Sequence, residues 1–238
     1  MSPVIDRLRR RPAEPLLHAI KLRAIDAAFE RGEIRSVADL GGVWLVDGGY
    51  TFYALERHRP ERAVLVDEAV TPAARERARS FPELELLEAD FGDASVAERV
   101  GEVDAAILFD VLLHQVDPDW DEVMRMWAER ARHLIVVQPQ YVRGADTVRL
   151  LELGRERYLE LVPDVPEHHE VWTRMDEYVP ERGRRFRDVH NIWQWGITDR
   201  DMRRRAEELG LELVYFENAG TWQDREAFEN HGYVLRRR

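Results

Sequence analysis

Ser36-Val-Ala-Asp-Leu-Gly-Gly-Val-Trp-Leu-Val-Asp-Gly-Gly-Tyr-Thr-Phe-Tyr53 decides the fold. Residues 36–40 read as a short buried strand that closes on an acid, Asp39. Four glycines follow, Gly41, Gly42, Gly48 and Gly49, and the segment from Tyr50 to His58 has the pattern of a helix. Strand, glycine-rich turn, helix is the arrangement that brings backbone close to a nucleotide-like ligand, because glycine alone tolerates the turn and leaves no Cβ in the way. An ordinary strand-to-helix turn that binds nothing carries the same local signature.

Working outward, the alternation continues. Strands are predicted at 62–66, 84–88, 103–109 and 133–137. Helices are predicted at 72–80, 94–100 and 120–130, the first with Thr71 as N-cap and Pro72 at its first position. A helix over 12–31 precedes the first strand. After residue 197, Thr198 caps a helix over 199–209, and strands at 211–217 and 231–235 are joined by a connection at 219–224, an antiparallel finish. Near-continuous Val/Ile/Leu strands alternating with helices imply an α/β protein with a doubly wound, mostly parallel sheet of seven strands. Residues 139–197 break the rhythm. A helix is predicted near 145–161, and the insertion holds three of the seven tryptophans and three of the eight histidines. Long irregular segments in a compact domain are often lids or binding loops. The predicted organisation is a helical extension at 1–35, a core of 36–138 and 198–238, and an inserted lid or substrate segment at 139–197.

Ligands of such sheets bind outside the carboxyl ends of the strands. Those ends carry Asp39, Asp67, Asp90 and Asp110, spaced 28, 23 and 20 residues apart. Aspartate is common at helix N-caps, so one acid means little; one after each of four strands points to a ligand edge.

Composition removes several chemistries. The 238 residues include no cysteine, which excludes disulfides, thiolate nucleophiles and Cys-ligated zinc. Lys21 is the only lysine, which excludes a phosphate-binding loop of the usual kind and leaves one poor Schiff-base candidate. A net charge of −11 disfavours nucleic acid and anionic membrane as partners. No apolar run approaches 18 residues and no signal-peptide pattern is present, so a cytoplasmic protein is expected. The neighbouring His168-His169 lacks a third ligand, and no metal site is expected.

The order of elements and acids resembles the class I S-adenosylmethionine-dependent methyltransferases over about residues 36–138 and 198–236. Val-Ala-Asp39-Leu-Gly41-Gly42 is similar to the family's first motif, an acid followed by a Gly-x-Gly-x-Gly turn. Leu65-Val-Asp67-Glu68 resembles its ribose-binding acid, Glu88-Ala-Asp90-Phe91 its adenine-contacting motif, and Ile107-Leu-Phe-Asp110-Val-Leu-Leu-His114 the segment that faces the transferred methyl. The resemblance implies a Rossmann-like fold, S-adenosyl-L-methionine as cofactor, and a methyl acceptor. Cofactor contacts then fall to Asp39, Gly41, Gly42, Gly48, Gly49, Asp67, Glu68, Asp90, Phe91 and Asp110. The loop departs from the pattern: Val43 to Asp47 make it about four residues longer than the family's, so it either bulges outward or closes the site.

His114 lies just past the fourth strand and His190 beside the inserted tryptophans; both are candidate bases, with packing as the alternative. Tyr50, Trp193 and Trp195 are candidate substrate contacts, with packing of the insertion onto the sheet as the alternative for the two tryptophans. The expected reaction is O- or N-methylation of a small molecule, with no nucleic acid or membrane partner; Trp-rich insertions also serve interfaces, leaving a homo-oligomer open. One rival is a non-catalytic binding or assembly protein of the same fold. A nicotinamide dehydrogenase needs Gly-x-Gly-x-x-Gly and a Tyr-x-x-x-Lys pair, neither of which is present.

Overall fold

A computed structural model of the chain describes residues 16–238. Seven strands form one sheet: β1 (Ser36–Leu40), β2 (Arg62–Asp67), β3 (Leu84–Glu88), β4 (Val103–Phe109), β5 (Ala131–Tyr141), and two long C-terminal strands. Short two-stranded ribbons in the insertion, at residues 148–149 with 195–196 and 178–179 with 184–185, occupy numbers β6 to β9, so the C-terminal pair is β10 (Leu211–Trp222) and β11 (Arg225–Arg237). The spatial order is β10-β11-β5-β4-β1-β2-β3. The first five strands run parallel, and β11 is antiparallel to both its neighbours. The strand order reverses between β1 and β4, which opens the crevice where such sheets take ligands.

Alternation along the buried strands feeds two cores. Ala38, Leu40, Val64, Val66, Leu108, Leu134 and Val136 face the helices α4 (Ala94–Val100), α5 (Trp120–Ala128) and α8 (Asp199–Glu208). Val37, Ala63, Ile107, Ile135 and Val137 face α1 (Ala19–Arg31) and α2 (Gly49–His58). Burying each of the larger aliphatics contributes on the order of 1.5–3 kcal/mol. The connection after β2, α3 (Pro72–Ala78), opens as expected, with Thr71 Oγ1 accepting from the Ala74 amide at 3.2 Å.

Three expectations are corrected. Helix α1 starts at Ala19, with extended His18 as its N-cap: residues 12–15 lie outside the described residues, and Leu16 and Leu17 precede the helix. Leu17 instead packs on the glycine loop, where a Cβ at Gly49 would meet its Cδ2 at 2.7 Å. The helix over 145–161 is broken, because Gly154 sits at φ +84°; a 3₁₀ turn, Leu150–Leu153, precedes it and α6 (Arg155–Leu161) follows. Residues 219–222 of the predicted connection are strand. The β10–β11 hairpin turns on Gln223 and Asp224 alone, both at positive φ (46° and 62°) between paired Trp222 and Arg225. Two central residues at positive φ define the tight turn that matches strand twist.

That longer hairpin has a purpose in packing. Its Trp222 and Phe228 join Leu113 and Tyr141 of the sheet edge and Leu150, Tyr158, Leu161, Val171, Phe186 and Trp193 of the insertion in a third core. The insertion, which also carries α7 (Pro166–Arg174), is therefore seated on the sheet's C-terminal edge by its own apolar cluster.

The β1–α2 connection shows where the extra loop residues go. Gly48 N–H donates to the Gly42 carbonyl at 3.1 Å, pinching the neck, and Trp44 and Leu45 project into solvent, 55% and 60% exposed. The loop bulges outward. Beneath it, Asp39 is buried, with Thr51 Oγ1 of α2 donating to Oδ2 at 2.5 Å. A Cβ at Gly42 would overlap that carboxylate. Burial pushes the Asp39 carboxyl up from 3.8 to about 6, against the opposing hydrogen bond from Thr51.

Two outcomes are expected. Replacing Gln223-Asp224 by Asn-Gly, residues that adopt positive φ readily, raises stability by about 1 kcal/mol and the melting temperature by about 2–4 °C; an unchanged melt contradicts the turn. Because the folded carboxyl of Asp39 has the higher pKa, the folded state holds the extra proton between pH 4 and 6, and stability falls as pH rises through that window. An Asp39→Asn variant lacks this loss, so its stability relative to the wild type improves by about 3 kcal/mol between pH 4 and pH 7. Urea unfolding at the two pH values reads the gap, and a constant gap refutes the assignment.

Candidate active site at the carboxyl ends of the strands

The acids at the ends of β1 to β4 come together at one edge, and each is held by a donor from a different part of the chain. Asp67, at the end of β2, accepts at Oδ2 from the Val43 amide at 2.9 Å and at Oδ1 from the Ala69 amide at 3.0 Å. Val43 belongs to the stretched glycine loop, so the added residues deliver a backbone donor to this acid. Burial nonetheless raises its pKa, against the opposing pull of those amides. Gly41 and Gly48 both sit at positive φ (72° and 79°), and Gly41 lies against Val111 and Phe91.

Asp110 follows β4 with φ +55°, an uncommon conformation for a side-chain-bearing residue. Its amide donates to the Val137 carbonyl at 2.8 Å, and its Oδ2 accepts from Lys21 Nζ at 2.6 Å. The ammonium is buried and lies 5.1 Å from the centre of the Tyr50 ring and 5.6 Å from that of Phe109. Burial lowers the lysine pKa, but Asp110 and Tyr50 raise it more, so Lys21 is charged. Tyr50 is buried too, its hydroxyl accepting from the His18 amide at 3.0 Å.

Glu68 and Asp90 are held by the insertion. Arg184 Nη2 donates to Asp90 Oδ2 at 3.2 Å and Arg184 Nη1 to His190 Nε2 at 2.7 Å. Accepting at Nε2 leaves His190 with its proton on Nδ1, which lies 3.3 Å from Glu68 Oε1. Arg182 adds a second donor to Glu68 at 2.7 Å. His190 and Arg182 together hold the Glu68 carboxyl below the usual range, the hydrogen bond from His190 being the largest cause. Ligand atoms of Glu68, Asp90 and His190 lie within 4.8 Å of one another, and the Arg184 guanidinium is bonded to two of the three. The other oxygen of Asp90 accepts from the Gly92 amide at 2.7 Å, and Trp127 Nε1 donates to the Phe91 carbonyl at 3.0 Å, which fixes the turn after β3.

His114 ends the 3₁₀ turn Leu112–His114 after β4, and its Nδ1 donates to the Ile192 carbonyl at 3.0 Å. Burial pushes its pKa down to about 4, so the ring is neutral with Nε2 unprotonated. Trp193 packs in the third core against Trp222 and Phe228 rather than lining a cavity. Trp195 Nε1 donates to the Gln115 carbonyl at 2.6 Å. His168 and His169 part company, the first to the Pro163 carbonyl and the second to Asp164.

The structure therefore brings Asp39, Asp67, Glu68, Asp90, Asp110, His114, His190 and Tyr50 to the strand ends and puts Trp193 in a core. Sequence reading passed over Lys21, Arg182 and Arg184. Lys21 carried one signal, that of being the only lysine; the arginines, among 34 in the chain, carried none. Of two surface cavities, one of about 450 Å³ lies on the insertion around Arg155 and Arg157, and one of about 280 Å³ lies between Arg157 of the insertion and Asp224–Ala227 of the hairpin; neither is lined by a strand-end acid. No helix among the described residues is long and apolar enough to cross a membrane.

No family model and no curated protein matches the chain. Solved structures do. The chain is similar to a 1,6-didemethyltoxoflavin N1-methyltransferase from Burkholderia thailandensis, solved with 1,6-didemethyltoxoflavin and S-adenosylhomocysteine (13% identity, 92% of this chain, 78% of that one, TM-score 0.59). It is similar to magnesium protoporphyrin IX methyltransferase from Synechocystis PCC 6803 with bound S-adenosylmethionine (14% identity, 100% and 92%, TM-score 0.55). An O-methyltransferase family protein from Burkholderia thailandensis aligns at 16% identity and TM-score 0.52 over 92% of this chain, which spans 56% of that longer one. The sheet order, the antiparallel end and these neighbours give the chain the fold of the class I S-adenosylmethionine-dependent methyltransferases.

Proposed function

We propose that the chain is an S-adenosylmethionine-dependent methyltransferase acting on the oxygen or nitrogen of a small-molecule acceptor. The observation that carries this reading is the row of carboxylates at the ends of β1, β2, β3 and β4 on a sheet of this order. The donor set suits the cofactor. Ribose hydroxyls, the adenine amine, the amino group and the sulfonium all seek acceptors or negative charge, and this edge supplies carboxylates. When bound, the cofactor supplies an electrophilic methyl on a cationic sulfur.

Asp67 is the ribose acceptor, with lone pairs remaining beyond the two amides it holds. Asp90 and Phe91 frame the adenine. Asp39 and Gly41 through Gly49 shape the methionine end. Glu68 shares the ribose side and exchanges the strap of Arg182, Arg184 and His190 for ligand hydroxyls. His114 faces the acceptor with Nε2; a group ionising near pH 4 is a weak base, so it orients the acceptor rather than removing its proton. Residues 139–197 serve as the lid, and neighbours solved with 1,6-didemethyltoxoflavin or named as a magnesium protoporphyrin IX methyltransferase support a small-molecule acceptor. The net charge of −11 argues against nucleic acid.

A second reading, a non-catalytic binding protein of the same fold, is favoured by one observation: every strand-end acid already has a donor from the chain itself. Titration calorimetry separates the two. S-Adenosylhomocysteine binds at micromolar affinity if the first reading holds, and a folded protein that takes up neither this ligand nor S-adenosylmethionine supports the second.

Asp67→Ala is expected to weaken S-adenosylhomocysteine by about tenfold or more, the worth of a hydrogen bond to a charged acceptor; unaltered affinity removes Asp67 from the ribose site. His114→Ala is expected to slow turnover by about tenfold while leaving that affinity in place, and full turnover returns His114 to packing.

A further inference from the structure

Lys21 and Asp110 hold unused hydrogen-bonding capacity side by side. Of the ammonium's three N–H bonds, one is used on Asp110 Oδ2 at 2.6 Å. Asp110 Oδ1 is buried and has no hydrogen-bond partner among the described residues. A buried carboxylate oxygen left alone is expensive, and native structures rarely leave one without a reason. The pair sits at the end of β4 beside Asp39 at the end of β1, where the strand order reverses, and Asp110 is held there in a left-handed backbone conformation. Uncommon conformations of this kind gather at functional sites. Lys21 also stands in the first turn of α1, where the helix dipole opposes a cation, so the fold places it against both desolvation and dipole.

We propose that Lys21 and Asp110 form a proton-accepting and oxyanion-binding couple that selects an acidic hydroxyl, a phenol or an enol, as the methyl acceptor. This rests on the methyltransferase reading and narrows it to O-methylation. The hydroxyl donates to Asp110 Oδ1 and accepts from Lys21 Nζ, so both unused valences are filled by one group. In the step, the O–H bond breaks and its proton passes to Asp110 Oδ1. The oxygen–carbon bond forms as the sulfur–carbon bond of the methyl sulfonium donor breaks, and that bond pair stays on sulfur as a neutral thioether. The proton on Asp110 then leaves to solvent. Lys21 holds the oxygen's developing negative charge during the transfer. The couple selects against the alternatives. A carboxylate acceptor meets the Asp110 carboxylate, and an amine acceptor becomes a cation beside the Lys21 ammonium.

The test uses 4-nitrophenol as probe, with the full chain saturated with S-adenosylhomocysteine. The bound probe is expected to show its phenolate absorption about one pH unit below the free compound, a tenfold gain in ionised fraction. Lys21→Met loses that gain and Lys21→Arg retains most of it, while 4-nitroaniline shows no matching spectral change. Should Lys21→Met not fold by circular dichroism, Lys21→Gln removes the charge and keeps a donor, and is expected to lose the gain as well. Absence of the shift in the wild type, or its persistence in the uncharged variants, overturns the proposal and leaves the methyltransferase reading standing. So does a Lys21→Met protein that binds S-adenosylmethionine more tightly with no phenolate shift in either form, which makes Lys21 a plug. Failure of S-adenosylhomocysteine to bind, read by calorimetry, overturns both together.

Discussion

A parallel sheet gathers the ends of its strands at one edge, and in this chain each of the first four ends in an acid. Carboxylates withdrawn from water must be hydrogen-bonded or paired. The N-terminal helix, the glycine loop and the insertion each answer that demand. Helix α1 brings Lys21 to Asp110, the loop brings the Val43 amide to Asp67, and the insertion brings Arg184 to Asp90 and Arg182 and His190 to Glu68. Asp39 is served from within the core by Thr51. The additions are thus parts of one electrostatic arrangement built around the strand ends.

This division explains what was legible in the residues. Strands and helices follow local rules of period and capping, so β1 to β4, α2 and α4 fall where the pattern puts them. The acids were legible because each closes a strand. Their partners were not, because pairing at the edge joins residues far apart: Lys21 and Asp110 are separated by 89 positions, Arg184 and Asp90 by 94. No local period reports such a contact. The misreadings have local causes that pattern reading underweights. Gly154 at positive φ divides a stripe of leucines that looked like one helix, and Gln223-Asp224 makes a tight turn without the asparagine and glycine that usually mark one. The tryptophans of the insertion left pocket and core both open, because aromatic residues serve both; Trp193 lies in the core, where the extended hairpin meets it.

The donors also differ in how readily they yield. The Arg182–Glu68 pair has side chains 54% and 34% exposed, and Arg184–Asp90 21% and 26%. Ion pairs open to water contribute about 0–1 kcal/mol each and weaken with salt. Lys21 is 9% exposed on its side chain and is fixed by α1, whose Ile20, Ala24, Ile25 and Ala28 are buried in the second core. Removing one partner of a pair so enclosed strands the other charge, at about 3–5 kcal/mol for a fully buried pair and less here because Asp110 keeps some solvent. The edge is therefore held by more exposed pairs over β2 and β3 than under α1. A ligand approaching over β2 and β3 meets contacts that exchange for its own hydroxyls at little net cost. One approaching under α1 meets a pair that it must join rather than displace.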